Sequence, residues 1–202
     1  MNIFEEFTTP TLPSQFYWFN EPARVVSGQG LELWTKPKTD FWQRSHYGFR
    51  RDDGHCLFTD IDGDFCVTAK FEWNAQTQYD QCGLMARIDA ENWLKTSTEY
   101  ETASLSRLGS VVTNFGYSDW ATQDVDSDQT RIWYRLSRHG QDFKIEASYD
   151  GDRWRQLRIT HLHNAGERLA VGIYACSPIG ENFWSRVISF RCEPNHWAYR
   201  HE

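Results

Sequence analysis

Lys95 and Glu99 fall on the same side of the apolar–polar alternation running through residues 81–100, and a cation and a carboxylate on one pleated face are raw material for a polar ligand site. Leu84, Ala86 and Ile88 set the parity of the segment before Asp89, because they must point into a core. With an odd-numbered tip, Leu94, Thr96, Thr98 and Tyr100 join them. Gln81, Met85, Arg87, Trp93, Lys95, Ser97 and Glu99 then share the opposite face. A four-residue tip would reverse the second strand and turn Lys95 and Glu99 into the core, where unpaired charge is expensive. The odd tip is therefore preferred. The strand beginning at Arg131 is expected to add Trp133 and Arg135 to this face, and Trp42, Tyr47, Asp119 and Trp120 to rim it from flanking loops. Sugars combine hydroxyls that need paired donors and acceptors with C–H patches that lie on aromatic rings. On that reading Trp42, Tyr47 and Trp120 stack, Gln81, Lys95 and Arg135 donate hydrogen bonds, and Glu99 and Asp119 accept them. The competing reading makes Lys95 and Glu99 a solvated ion pair worth little energy.

Other chemistries have weaker support. A glycosidase needs two carboxyls about 5 to 9.5 Å apart, one with a raised pKa. Glu99 could pair with Asp80, Asp119 or Glu101, but the nearest run, Glu99-Tyr100-Glu101, lacks the E-x-D-x-E alternation of laminarinase-like enzymes. Asp119 could equally be a turn residue capping its own backbone. Asp60, Asp62 and Asp64, and again Asp124, Asp126 and Asp128, are oxygen-rich triplets of the kind calcium prefers, yet Gly63 is misplaced for an EF-hand loop. His161 and His163 could share a strand face and bind a transition metal, although no third ligand is visible. No G-x-S-x-G elbow is present, Cys176-Ser177-Pro178 has no evident base, and Gly28-Gln29-Gly30 lacks the helix a phosphate loop must open. No cofactor is implied and no metal site is assigned.

The elements that must position these groups are strands. Phe65, Val67, Ala69, Phe71 and Trp73 alternate with Cys66, Thr68, Lys70 and Glu72, the pattern of a half-buried strand. Comparable segments lie at 83–88, 93–100, 110–113, 131–138, 142–149, 153–161, 169–176 and 185–191. Asp62-Gly63, His139-Gly140 and Asp150-Gly151 supply hairpin turns, because glycine accepts positive φ without a steric cost. About nine short strands with regular turns indicate an antiparallel β-sandwich. The first 37 residues, with prolines at 10, 13, 22 and 37, are expected to form an edge strand and loops completing the sandwich, and residues 193–202 a loosely ordered tail. The 202 residues are read as one domain.

Twenty-one Lys and Arg against 28 Asp and Glu give a formal charge of −7, which argues against a nucleic-acid partner, since neutralising phosphates needs a basic face. No apolar run approaches the roughly 18 residues of a membrane span. The acidic start MNIFEEFTTP does not read as a secretory signal. Five widely spaced cysteines, an odd number without CxxC, fit small core residues of a reduced, cytoplasmic protein. Aromatic residues make up 16% of the chain at low overall hydrophobicity, so some rings are expected to face water and a ligand or partner.

Several phrases taken together carry a family resemblance. They are Thr39-Asp40-Phe41-Trp42-Gln43-Arg44 with Tyr47-Gly48, Tyr79-Asp80-Gln81-Cys82-Gly83-Leu84, Trp93-Leu94-Lys95 followed by Glu99, Ser118-Asp119-Trp120, Tyr149-Asp150-Gly151 with Trp154, and Tyr174-Ala175-Cys176-Ser177-Pro178. Over residues 38–192 their order and spacing resemble an uncharacterised family of concanavalin A-like proteins that includes the fungal regulation-of-enolase protein. The resemblance implies an all-β, concanavalin A-like jelly-roll sandwich of two antiparallel sheets. Relatives of that fold include lectins, glucanases and accessory domains of glycosidases, so a carbohydrate role is an analogy from fold. The expectation is non-catalytic binding of a carbohydrate or sugar-derived ligand. The alternatives are a regulatory protein that docks on an enzyme of carbohydrate metabolism, and a glycoside hydrolase-like enzyme using Glu99 and a second carboxylate.

Overall fold

The computed structural model describes residues 2–197. Its strands in chain order are β1 (Ile3–Glu5), β2 (Tyr17–Phe19), β3 (Arg24–Ser27), β4 (Leu31–Trp34), β5 (Phe41–Gln43), β6 (Arg50–Asp52), β7 (His55–Asp62), β8 (Phe65–Asn74) and β9 (Gln81–Asp89). They continue with β10 (Asn92–Thr102), β11 (Leu105–Asn114), β12 (Tyr117–Val125), β13 (Arg131–His139), β14 (Asp142–Ser148), β15 (Arg155–His161), β16 (Arg168–Cys176) and β17 (Trp184–Pro194).

Two antiparallel sheets form the jelly-roll sandwich. One runs β15-β14-β13-β8-β17-β4-β3, with β1 also on β17; the other runs β12-β11-β10-β9-β16-β7-β2. The alternation seen in the sequence explains how they pack. Phe65, Val67, Ala69, Phe71 and Trp73 of β8 meet Leu84, Ala86 and Leu94 of β9 and β10 in one continuous core between the sheets. Close contact of strand backbones matters here too. A Cβ on Gly83 would lie 1.8 Å from the carbonyl oxygen of Thr96, so only glycine fits.

The β9–β10 hairpin has the expected parity, by a route the residue count alone does not reveal. Asn92 pairs with Asp89, leaving a two-residue tip, and a bulge then shifts the register so that Trp93 faces Arg87 and Lys95 faces Met85. One extra residue in a bulge flips the following side chains as an odd loop would.

Three expectations are corrected. The first 37 residues form four short strands instead of an edge strand with loops, and β4 pairs on both sides, with β3 and β17. The residues read as a loose tail begin inside β17, whose Glu193 and Pro194 pair with Cys66 and Phe65; residues 198–202 lie outside the described part. Trp133 and Arg135 belong to the other sheet, because β13 pairs with β8 and not with the β9–β10 hairpin.

The third layer is small. The β5–β6 hairpin lies against the outer face of the seven-stranded sheet, where Phe41 packs with Phe58, Met85, Trp93, Val111 and Tyr174 in a second apolar cluster. Phe41 sits edge-on to Trp93 and Tyr174, at centroid distances of 6.1 and 6.2 Å. The outer face thus carries its own core, and a cleft opens beside it.

Candidate functional site

Beyond the second core the outer face opens into a cleft of about 450 Å³, within the range of small-ligand sites. Its walls carry Trp42, Tyr47, Phe49, Tyr79 and Trp120; its polar floor carries Gln81, Lys95, Glu99 and Asp40. Trp42, Tyr47 and Phe49 form a ring cluster with centroid separations of 5.5 to 6.5 Å, and the Trp42 indole donates to the carbonyl of Ser45 at 2.9 Å. The segment carrying them turns tightly, with Arg44 and His46 at φ of 55° and 62°. Arg44 anchors it by donating to the Gly116 carbonyl at 2.8 Å and pairing with Glu91 at 2.6 Å. Tyr79 also has positive φ, 73°, a strained conformation for a bulky residue of the kind concentrated at functional sites.

Gln81 organises the floor. Its Oε1 accepts from Lys95 Nζ at 2.9 Å and from the Tyr174 hydroxyl at 3.0 Å. Its Nε2 donates to Glu99 Oε2 at 2.5 Å and to the Tyr79 carbonyl at 3.1 Å. Two donors on one side and two acceptors on the other determine which way the amide points. Lys95, 2% exposed, also donates to the Phe41 carbonyl at 3.0 Å and lies 3.6 Å from Asp40.

Glu99 differs from its neighbours. Its Oε2 is held by Gln81, while Oε1 meets no hydrogen-bond partner among the described residues and lines the cleft. Burial pushes its pKa up to about 8, against the pull of the Lys95 charge and with a further push from Asp40. At neutral pH burial therefore favours the protonated carboxyl, and Oε1 is the oxygen that Gln81 leaves without a partner.

The cleft brings together Trp42, Tyr47, Gln81, Lys95, Glu99 and Trp120 from the expected set, and leaves out two. Arg135 is on the opposite sheet, bound to Glu146 at 2.8 Å and stacked 4.0 Å over Trp154. Asp119 lies in β12 and not in a loop. It faces Val112 of the inter-sheet core where Trp120 faces Val111 of the cleft, and Arg158 holds it at 2.9 Å. Gln81 and Lys95 already direct hydrogen bonds into the floor.

None of the carboxyls considered as partners of Glu99 lines the cleft. Asp80 is buried, accepting from Ser177 at 2.5 Å and from the Gln76 and Thr77 amides. Glu101 accepts from Gln78 at 2.8 Å and lies 3.8 Å from Arg107. In the aspartate triplets, Asp60 accepts from Tyr17, Asp62 pairs with Arg168, Asp64 with His139, and Asp124 with Arg107. His161 leans on His163 and on Asp142 at 2.7 Å. Among the described residues no group of three or more His, Cys, Asp or Glu side chains is placed to hold a metal ion.

Asp40, Phe49, Arg51, Tyr79, Val111, Pro178 and Ile179 also line the cleft, and the sequence did not single them out as site residues. Asp40, Tyr79 and Pro178 stand within the phrases that carry the family resemblance. Phe49 and Arg51 belong to the β5–β6 hairpin, whose folding over the sheet leaves no periodic trace.

Comparisons with known proteins agree on the fold. The model of a family described as a protein of unknown function, DUF1349, matches residues 18–195. Regulation of enolase protein 1 from Saccharomyces cerevisiae is 35% identical over 166 residues, 82% of either chain. A functionally unknown protein from Saccharomyces cerevisiae superposes with a TM-score of 0.79 at 31% identity, over 92% of this chain and 95% of that one. The GH43 BlXynB protein from Bacillus licheniformis matches with a TM-score of 0.72 at 18% identity, over 95% of this chain but 39% of its own. At that identity the likeness concerns the fold alone.

Proposed function

The chain belongs to the DUF1349 family, whose function is unknown, and from that premise we propose that its outer-face cleft binds a carbohydrate or sugar-derived ligand without transforming it. The observation that carries this reading is the pairing of aromatic walls with a polar floor in a single depression. Flat rings take the C–H faces of a sugar, and a polar group below them meets its hydroxyls. Trp120 is 40% exposed and Tyr47 58%, so both rings are presented to solvent and ready to be covered. Gln81 and Lys95 act indirectly, by setting the position and protonation of Glu99.

Calorimetric titration with a panel of neutral mono- and oligosaccharides tests the reading. A binder should lose at least tenfold in affinity in Trp120→Ala, about 1.4 kcal/mol, while that variant keeps the wild-type circular dichroism. No binding across the panel, or equal affinity in the variant, rejects it.

The name of the yeast relative favours a second reading, in which the protein regulates enolase. Its exposed rings at the cleft would then meet a protein surface. Turnover by purified enolase, measured with and without a stoichiometric amount of this protein, tests it; unchanged turnover and no co-elution on gel filtration count against it.

A further inference from the structure

We infer that the cleft selects a ligand bearing a positively charged nitrogen, an alkylammonium group seated among the rings with Glu99 as its counter-ion. The inference rests on the proposed small-ligand site and narrows its substrate class.

Few polar groups of the cleft are still available to a ligand. Lys95 is held by the Phe41 carbonyl, Gln81 and Asp40, and Arg51 is paired with Asp53 at 2.9 Å. Gln81 has both donors and its acceptor engaged. The cleft leaves a ligand few donors, the hydroxyls of Tyr47 and Tyr79 and the N–H groups of Arg51 that Asp53 does not engage. What it does offer is the open Oε1 of Glu99. Five aromatic walls around a carboxyl are the surroundings an organic cation prefers: the negative ring faces attract it, its methyl or methylene groups bury against them, and its charge is balanced at the floor. A charged nitrogen adds to ring packing an attraction that a neutral polyol lacks.

The electrostatics agree. The charged and titratable groups around Glu99 come from five segments, one of them β16, which carries Tyr174 and Cys176. Lys95 and Glu101 lie on β10, and Asp40 precedes β5. Tyr79 lies before β9, and Arg107, opposite Glu99 on β11, is bound to Asp124 and lies near Glu101. No cation makes an ion pair with Glu99 among the described residues, and its neutral form is favoured by burial. A bound ammonium would supply the missing countercharge and convert the acid to its carboxylate, so binding at pH 7 expels close to one proton.

The test compares glucitol with N-methylglucamine, which share a polyol skeleton and differ in the charged nitrogen, and adds tetramethylammonium as the cation alone. Titrations at pH 7 in two buffers of different ionisation enthalpy report proton release. N-methylglucamine is expected to bind at least tenfold tighter than glucitol, tetramethylammonium to bind measurably with release of nearly one proton, and both effects to vanish in Glu99→Gln. If the two cations fail while neutral sugars bind, this inference falls and the carbohydrate reading survives. If tetramethylammonium binds and no sugar does, the cation site stands and the carbohydrate reading falls. Cation binding that is unchanged in Glu99→Gln, or that releases no proton, overturns the assignment to Glu99.

Discussion

Gln81 Nε2 donates to Glu99 Oε2 at 2.5 Å, and this contact joins the second core to the open cleft. On one side of the amide stand Lys95 and Tyr174, both buried. On the other stands a carboxyl whose second oxygen faces the opening. The amide passes the order of the interior to a carboxyl that lines the cleft. A lysine and a tyrosine that look like ligand donors in sequence become supports for a glutamate.

Removing the amide should destabilise the fold more than a surface change of equal size. In Gln81→Leu the Lys95 ammonium and Tyr174 hydroxyl lose their shared acceptor inside the protein, while Glu99 loses its donor. A loss of about 2–4 kcal/mol is expected, because buried polar groups left without partners carry their full desolvation cost. Urea denaturation at pH 7 measures it; a loss below about 1 kcal/mol would mean that the floor rearranges freely.

Glu99→Gln should stabilise the unliganded protein at high pH. The carboxyl ionises near its ordinary value of 4.5 when unfolded and near 8 when folded. Stability from this group is thus complete below pH 4.5 and declines as pH rises through 8, because the unfolded state has released a proton that the folded state keeps. The variant should match wild type near pH 4, gain on it between pH 5 and 8, and level off with an advantage on the order of a few kcal/mol. Melting temperatures of both proteins across that range check the sign. A gap that narrows as pH rises would contradict the assigned direction.

Tyr79 holds its ring in the cleft at the expense of backbone strain. Its φ of 73° suits glycine, and a non-glycine residue there costs roughly 1–2 kcal/mol. Tyr79→Gly should therefore be more stable than Tyr79→Ala by about 1 kcal/mol, although both remove the ring and weaken ligand binding. Equal stability of the two would show that the local conformation relaxes without the side chain.

All five cysteines are buried, and burial raises each thiol. A thiol is reactive as its thiolate, so a disulfide reagent at pH 7.5 should modify the native protein slowly and all five sites rapidly in denaturant. Fast stoichiometric labelling of one cysteine in the native state would reveal local opening around it.

Much of this architecture is legible in local pattern. The alternation in β8 identifies Phe65, Val67, Ala69, Phe71 and Trp73 as one face, and all five lie in the core. Lys95 and Glu99 could be put on the outer face of their sheet because two charges four residues apart are costly to bury unpaired. Six of eight proposed site residues then meet in one cleft, since parity along a strand and proximity across a hairpin are both short-range properties. Arg135 could not be assigned the same way, because alternation tells which face of a strand is polar but not which sheet the strand joins.

What composition, periodicity and turn residues determine by themselves is a set of strands with a polar and an apolar side, an all-β class and a candidate carboxylate with a cation beside it. Only the tertiary structure decides that the β5–β6 hairpin folds over the seven-stranded sheet, bringing Asp40 and Phe49 to groups distant in sequence. It also decides that Lys95 and Gln81 are occupied and that Glu99 Oε1 is not. The reason is that side-chain alternation is inscribed residue by residue, whereas the partner of a hydrogen bond depends on which distant segment lands within 3 Å of it.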